Sequence, residues 1–208
     1  MTLRGPTAAD LQTTLERQVQ NLAERLRPWQ AADWSAPSAN PGWSNADTAA
    51  HLVDALGRYG TGVERRAERT RPGFERLPPT EPARLPGLLV VRGRRLVELL
   101  RQGDPAELVW HPAHRFSAKT MAAVALSEVV LHRWDLTGPG ERTPEPRAAR
   151  LVLQGLFASK DDSSANPVQL LLHVTGRVRI EGRSGWPGPE WDWELPDEVP
   201  EDRRVEPA

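Results

Sequence analysis

Four segments of this chain carry apolar residues at the three- and four-residue spacing of an amphipathic helix, and this pattern most constrains the fold. Residues that start or stop helices bound each segment, as Pro28 does after the first. The segments extend from about Thr7 to Arg27, from Ser44 to Val63, from Leu85 to Leu100 and from Ser117 to about Asp135. They predict an up-down, antiparallel four-helix bundle, a fold that often builds metal sites between facing helices.

The pattern changes after residue 140. Pro146 begins a fifth helix with a clean apolar face. From Val168 apolar and polar residues alternate, which predicts antiparallel strands at about 168–174, 178–180 and 191–195. The sequence therefore predicts a mainly α protein: a four-helix bundle at 1–140, a small subdomain of one helix and an antiparallel β-sheet at 141–195, and a flexible Pro- and acid-rich tail at 196–208.

Composition excludes several classes of function. The chain has 208 residues and a formal net charge of −1, so it lacks the basic surface of proteins that bind nucleic acids or anionic membranes. No apolar run approaches the ~20 residues of a membrane span, and the first residues lack the apolar core of a signal peptide, so we expect a cytoplasmic protein. Cysteine is absent. The chain therefore offers no disulfide, no cysteine metal ligand and no thiol nucleophile of its own.

His51, Glu128 and His132 are the candidate metal ligands. Glu128 and His132 are four residues apart, which places both side chains on one face of the fourth helix, and His51 lies in the second helix. Two imidazoles and one carboxylate are a usual set of protein ligands in a catalytic metal site, where one further coordination position is left to water or substrate. An unpaired Glu128 would be costly among its apolar neighbours, which favours a cation there. The alternative is that both histidines are hydrogen-bonded bundle residues and that Glu128 pairs with an arginine.

Two aspartates lie about one turn from the histidines. Asp47 precedes His51, and Asp135 follows His132. Either carboxylate could accept the imidazole N–H and so fix the metal-binding tautomer. We favour a capping role for Asp47, because Ser44 stands three residues before it. For Asp135 a histidine partner and a solvent-facing position are equally open.

Three further histidines are weaker candidates. His111 and His114 flank Pro112 in a loop, and we expect them to line the mouth of a pocket rather than to bind the metal directly. His173 falls on a predicted strand, and we expect it to be an ordinary sheet residue.

Two motifs resemble a known family. They are Gly42-Trp43-Ser44-x-x-Asp47-x-x-Ala50-His51-Leu52 and Glu128-x-x-x-His132-x-x-Asp135-Leu136. Together they resemble the DinB-like superfamily and, within it, the actinobacterial mycothiol-dependent maleylpyruvate isomerases, over about residues 7–138. The resemblance implies a DinB-like bundle in which His51, Glu128 and His132 bind a divalent metal, usually zinc. It also implies that mycothiol, or another low-molecular-weight thiol, binds at the metal.

The main hypothesis is an enzyme, a metal- and thiol-dependent S-transferase or cis–trans isomerase acting on a small electrophile. A metal deprotonates a thiol that coordinates it, which would supply the missing nucleophile. One alternative is a non-catalytic bundle that binds a metal or small molecule, and a fourth protein ligand would favour it. Another is a metal-dependent hydrolase, with water as the nucleophile. The ligands accept Ni²⁺, Fe²⁺ or Mn²⁺ as well as Zn²⁺. We expect small-molecule partners only, and a monomer or homodimer.

Overall fold

A computed structural model describes residues 5–157 and 164–178 of the chain. The elements within these residues, in chain order, are α1 (Ala8–Leu26), α2 (Ala31–Ser35), α3 (Asn45–Glu64), a 3₁₀ helix (Pro82–Arg84), α4 (Leu85–Gln102), β1 (Leu108–Trp110), β2 (Arg115–Ser117), α5 (Ala118–Asp135), α6 (Pro146–Leu156) and α7 (Pro167–Val174). This part of the chain is mainly helical, as predicted. None of the helices in it is both long and apolar enough to cross a bilayer.

Capping side chains explain why the long helices begin where the sequence predicts. The hydroxyl of Ser44 accepts a hydrogen bond from the N–H of Asp47, whose carboxylate accepts in return from the N–H of Ser44. Thr7 makes the same reciprocal pair at the start of α1, and Ser117 caps α5. The predicted helices α1, α3, α4, α5 and α6 are confirmed. The short helix α2 lies in a segment that the sequence predicts as a loop.

The four long helices form a bundle in which α1 and α3 each pack against both α4 and α5. Near the start of α1, Gln12 donates a hydrogen bond to the carbonyl of Leu100, near the end of α4, so these two helices are antiparallel. Near the end of α1, Arg25 donates to the carbonyl of Arg133, near the end of α5, so α1 and α5 are parallel.

The order of directions in the bundle differs from a simple up-down alternation. Arg92 of α4 contacts the carbonyl of Val53 in α3, and farther along both helices Arg95 pairs with Glu64, so α3 and α4 are parallel. The four long helices therefore run up, down, down, up. The physical reason is the loop 65–81, which returns the chain along α3 before α4 begins.

The strand predicted from Val168 to Val174 is wrong, because these residues form helix α7. Asn166 accepts hydrogen bonds from the N–H groups of Val168 and Gln169, and Pro167 occupies the first helical position, where its missing N–H costs nothing. The apolar residues of α7 are buried, and so is His173, which lies on this helix and not on a strand as predicted. The strands predicted at 178–180 and 191–195 and the tail from 196 lie outside the described residues or extend beyond them. The division of the chain into domains at residues 140 and 195 stays a prediction.

The described residues contain a small antiparallel sheet, but its two strands lie between α4 and α5 in the chain and not in the C-terminal part where strands were predicted. Strands β1 and β2 pair with Val109 opposite Phe116, and the N–H of His111 closes the hairpin on the carbonyl of His114 at 2.7 Å. The loop predicted around Pro112 is the turn of this hairpin. Both histidines of that loop are therefore held by strand pairing.

Gly62 lets the hairpin approach α3. A Cβ atom at this position would lie 1.8 Å from the carbonyl oxygen of Trp110. The indole N–H of Trp110 in turn donates to the carbonyl of Glu68 at 3.2 Å, just beyond α3. The absence of a side chain at Gly62 thus sets the contact between the hairpin and the bundle.

Replacing Gly62 with alanine should push the hairpin away from α3. We expect Gly62→Ala to lower the free energy of unfolding by about 1–3 kcal/mol, the usual cost of overpacking. Gly60→Ala is the matched control, because it lies in the same helix and a Cβ there would meet nothing within 4 Å. It should stabilise the protein by about 0.5–1 kcal/mol through helix propensity. Urea denaturation of the two variants measures the difference, and equal stabilities would contradict the packing described.

Candidate metal centre

His51, Glu128 and His132 converge on one point between α3 and α5. The Nε2 atom of His132 lies 3.1 Å from Oε2 of Glu128, and Nε2 of His51 lies 3.7 Å from the same oxygen. One donor atom from each residue lies within 4.8 Å of the other two. Donor atoms of a tetrahedral zinc site with bonds of ~2.0–2.1 Å are about 3.3 Å apart. The spacing and chemistry of these three residues therefore fit a divalent ion.

Asn45 holds the two helices that carry the histidines. Its side chain is fully buried at the start of α3. The amide nitrogen donates to the carbonyl of Asp33 at 2.8 Å, and the amide oxygen accepts from the N–H of Thr137, just beyond α5, at 3.0 Å. The beginning of α3 is thereby fixed to the end of α5. His51 and His132 lie one to two turns from this clamp.

Tyr59 binds the second oxygen of Glu128. Its hydroxyl donates to Oε1 at 3.1 Å, which leaves Oε2 to face the two imidazoles. Burial raises the pKa of Tyr59 well above its usual value, and the neighbouring Glu128 carboxylate raises it further. Tyr59 therefore remains a protonated donor and orients the carboxylate.

Asp135 orients the imidazole of His132. The Nδ1 atom of His132 lies 2.9 Å from Oδ2 of Asp135, so Nδ1–H can donate to the carboxylate while Nε2 faces Glu128. Arg177 binds both oxygens of Asp135, with its Nε at 2.9 Å and its Nη2 at 2.8 Å. Burial alone would raise the pKa of Asp135, but hydrogen bonds from His132 and Arg177 outweigh it and lower the pKa. The aspartate is therefore an anion with its position fixed on both sides.

The electrostatics of the centre favour a cation next to Glu128. Burial would raise the pKa of Glu128, but the neighbouring imidazoles of His132 and His51 hold it well below its usual value. Burial would lower the pKa of His132, but Asp135 and Glu128 together raise it to about 9. A proton on His132 thus compensates the two carboxylates. A divalent ion would compensate Glu128 in the same place.

The three residues lie in the wall of a cavity of about 530 Å³. This volume is within the range of small-molecule sites, ~300–1,000 Å³. Helices α3 and α5 form one side, and the hairpin contributes His111, His114 and Phe116. Phe157 and Arg177 close part of the cavity from the C-terminal side. A small ligand in this space would reach the three converging side chains directly.

The other sequence candidates take different places. His111 and His114 line the cavity, but the described residues that could hold a metal ion do not include them. Asp47 is a helix cap, as favoured above. Of the two roles open for Asp135, the structure places it against His132. His173 lies in α7 and contacts the carbonyl of Val178, away from the three converging residues.

Sequence reasoning missed Tyr59 and Arg177. Tyr59 appears in the sequence only as part of the apolar face of α3, yet it lies two turns after His51, a spacing that could have indicated a shared site. Arg177 follows a segment predicted as a strand, so its approach to Asp135 had no signal in the chain.

Comparison with known proteins agrees with the motifs. The family model described as mycothiol maleylpyruvate isomerase N-terminal domain matches residues 15–137, which is more than half of the chain. No curated protein and no solved structure matches the sequence. The matched region contains all three converging residues as well as Tyr59 and Asp135. On this evidence the chain belongs to the mycothiol maleylpyruvate isomerase N-terminal domain family.

Proposed function

We propose that this protein is a metal-dependent enzyme that uses a small thiol, such as mycothiol, either to isomerise a small electrophile or to transfer the thiol to it. The observation that carries the proposal is the convergence of His51, Glu128 and His132 in the wall of a small-molecule-sized cavity. Membership of a family named for a mycothiol-dependent isomerase supports the choice of thiol.

A divalent ion, zinc in the first instance, would be held by Nε2 of both histidines and by Oε2 of Glu128. When bound, it would lower the pKa of a thiol that enters its open position. The chain has no cysteine, so the thiol must come from solution. Because His111 and His114 stand apart from the three donors, the described residues leave a position for an external ligand. This arrangement supports an enzyme over a closed structural site.

The residues around the ligands have separate tasks. Tyr59 keeps Oε1 of Glu128 engaged, and Asp135 keeps the proton of His132 on Nδ1. Both contacts fix the donor atoms before a metal arrives, which lowers the reorganisation that binding requires. Phe116 and Phe157 give the cavity an apolar wall, which would leave a thiolate beside it less well solvated than in water and so more reactive.

Metal binding should depend on the two ligand histidines. We expect His51→Ala and His132→Ala to abolish stoichiometric zinc in the purified, untagged protein, because each removes one of three ligands. His173→Ala is the control, since that imidazole lies in α7 and should leave the zinc content unchanged. Native mass spectrometry with elemental analysis measures the stoichiometry. Full zinc in either ligand variant would refute the proposed site.

The Asp135 contact should tune the affinity for metal. We expect Asp135→Asn to raise the zinc dissociation constant by about 10–100-fold, the usual effect of losing an imidazole partner. Competition with a zinc-binding dye measures it. Asp47→Asn serves as control, because this carboxylate only caps α3 and should leave the constant unchanged. Equal constants for the Asp135 variant and the wild type would show that Asp135 does not orient the ligand.

Turnover should require metal and thiol together. We expect the zinc-loaded protein to convert chlorodinitrobenzene or maleylpyruvate only when mycothiol, bacillithiol or glutathione is present. Glu128→Gln should lower both activities, because it weakens the metal site that both reactions share. Enzymatic rates with and without each thiol are the measurement. Turnover without thiol would favour the hydrolase, and metal-loaded protein that binds no thiol would favour a non-catalytic binding role.

A further inference from the structure

His111 lines the cavity, and its ring carries an N–H that donates no hydrogen bond to any of the described residues. Its Nδ1 atom accepts a hydrogen bond from the N–H of Ala113 at 3.1 Å. A nitrogen that accepts carries no proton, so the ring must be the neutral tautomer with its proton on Nε2. No other hydrogen bond engages the His111 side chain among the described residues. The ring lines the cavity, where this N–H is available to a ligand.

The orientation of this ring is fixed on several sides. The ring of Tyr59 lies 5.0 Å away at an interplanar angle of 33°, and the ring of Phe116 lies 5.2 Å away. The backbone N–H of His111 donates to the carbonyl of His114. Burial lowers the pKa of His111 to about 4, so the ring stays uncharged around neutral pH. His111 is thus a preorganised, uncharged donor.

The two hydroxyl groups in the same wall have their protons engaged. Tyr59 donates to Glu128, and Ser127 donates to the carbonyl of Val124 at 2.8 Å. Tyr59 also connects the two parts of the wall, because its ring packs on His111 while its hydroxyl binds Glu128. A substrate that reaches a thiol at the metal centre therefore has His111 within the same cavity.

We propose that Nε2–H of His111 binds the carbonyl oxygen of an unsaturated carbonyl substrate and stabilises the negative charge that develops there. This inference rests on the proposed function. In the reaction, the thiolate sulfur forms a bond to the β-carbon, and the electron pair of the double bond moves through the carbonyl onto oxygen. Rotation about the resulting single bond follows. The electron pair then returns, the C–S bond breaks and the thiolate leaves, so no proton is consumed.

The tautomer can be tested without metal or substrate. In the full-length protein labelled with ¹⁵N-histidine, the His111 signals are assigned by their loss in His111→Phe. We expect a neutral ring with a protonated Nε2 from pH 6 to pH 8. A protonated Nδ1, or a cationic ring in that range, would overturn the inference.

Two substrates of different chemistry test the role in turnover. The isomerisation of cis-4-phenylbut-3-en-2-one places charge on a carbonyl oxygen, whereas S-alkylation by benzyl chloride places it on the leaving chloride. With the same metal and thiol, His111→Phe should lower kcat for the ketone by about 100-fold, as loss of one oxyanion donor does. KM should change much less, and the rate with benzyl chloride should fall far less than kcat for the ketone. His111→Gln keeps an N–H near the position of Nε2 and should recover much of the ketone activity.

The results distinguish a failure of the role of His111 from a failure of the proposed function. If the wild type converts both substrates and His111→Phe loses neither, or loses both equally, the role of His111 is refuted and the proposed function stands. If the wild type converts neither substrate, the proposed function fails. His111 is then judged by adding 4-phenylbutan-2-one, the saturated ketone, to the labelled protein. A shift of the Nε2–H signal supports the donor role, and no shift overturns it.

Discussion

The carboxylate of Glu128 is the constraint on which the rest of the centre depends. It sits in the middle of α5, which packs against α1, α3, α6 and the hairpin, and it lies in the wall of the cavity with 24% of its side chain exposed. Breaking a buried ion pair and leaving one charge unpaired costs about 3–5 kcal/mol. Three side chains stabilise the Glu128 carboxylate. They are His132, one turn later in α5, His51 of α3 and the hydroxyl of Tyr59. The two carboxylates raise the pKa of His132 to about 9, so a proton on this imidazole provides a positive charge next to Glu128. A divalent ion would provide a larger positive charge in the same place and would leave the hydrogen bond of Tyr59 to Oε1 intact.

The direction of the helices determines which residues can share the centre. Because α3 and α5 are antiparallel, His51 faces His132 and Tyr59 faces Glu128 along one interface. Because α3 and α4 are parallel, the connection from α4 to α5 starts near the end of α3, where Gly62 admits the hairpin. The hairpin then enters the cavity from the end opposite the Asn45 clamp. A bundle with simple alternation would have placed this connection at the other end, away from Tyr59.

The sequence was informative where local chemistry decides structure. Capping residues and apolar spacing located the long helices, and the four-residue spacing of Glu128 and His132 located the centre. Predictions from the sequence were wrong where contacts between distant parts of the chain determine the structure. The segment 168–174 satisfied a strand pattern, but Asn166 and Pro167 start a helix there. Every residue of this segment except Gln169 is buried, so the period of the apolar residues does not distinguish a helix from a strand. The parallel course of α3 and α4 depends on how a long loop folds back, which no local pattern encodes.

The match to the family model covers only part of the cavity wall. The matched region, residues 15–137, holds all three candidate ligands and also Tyr59, His111 and Asp135. Phe157 and Arg177 lie outside it, yet both line the same cavity. The region that matches the family model therefore supplies the three candidate ligands, whereas residues after α6 supply another part of the cavity wall. Arg177 links the two parts, because it also binds Asp135, the partner of His132. Substitutions in this C-terminal wall would therefore change the shape of the cavity without removing the candidate ligands or their partners in α3 and α5, provided that the guanidinium on Asp135 is kept or replaced by another donor.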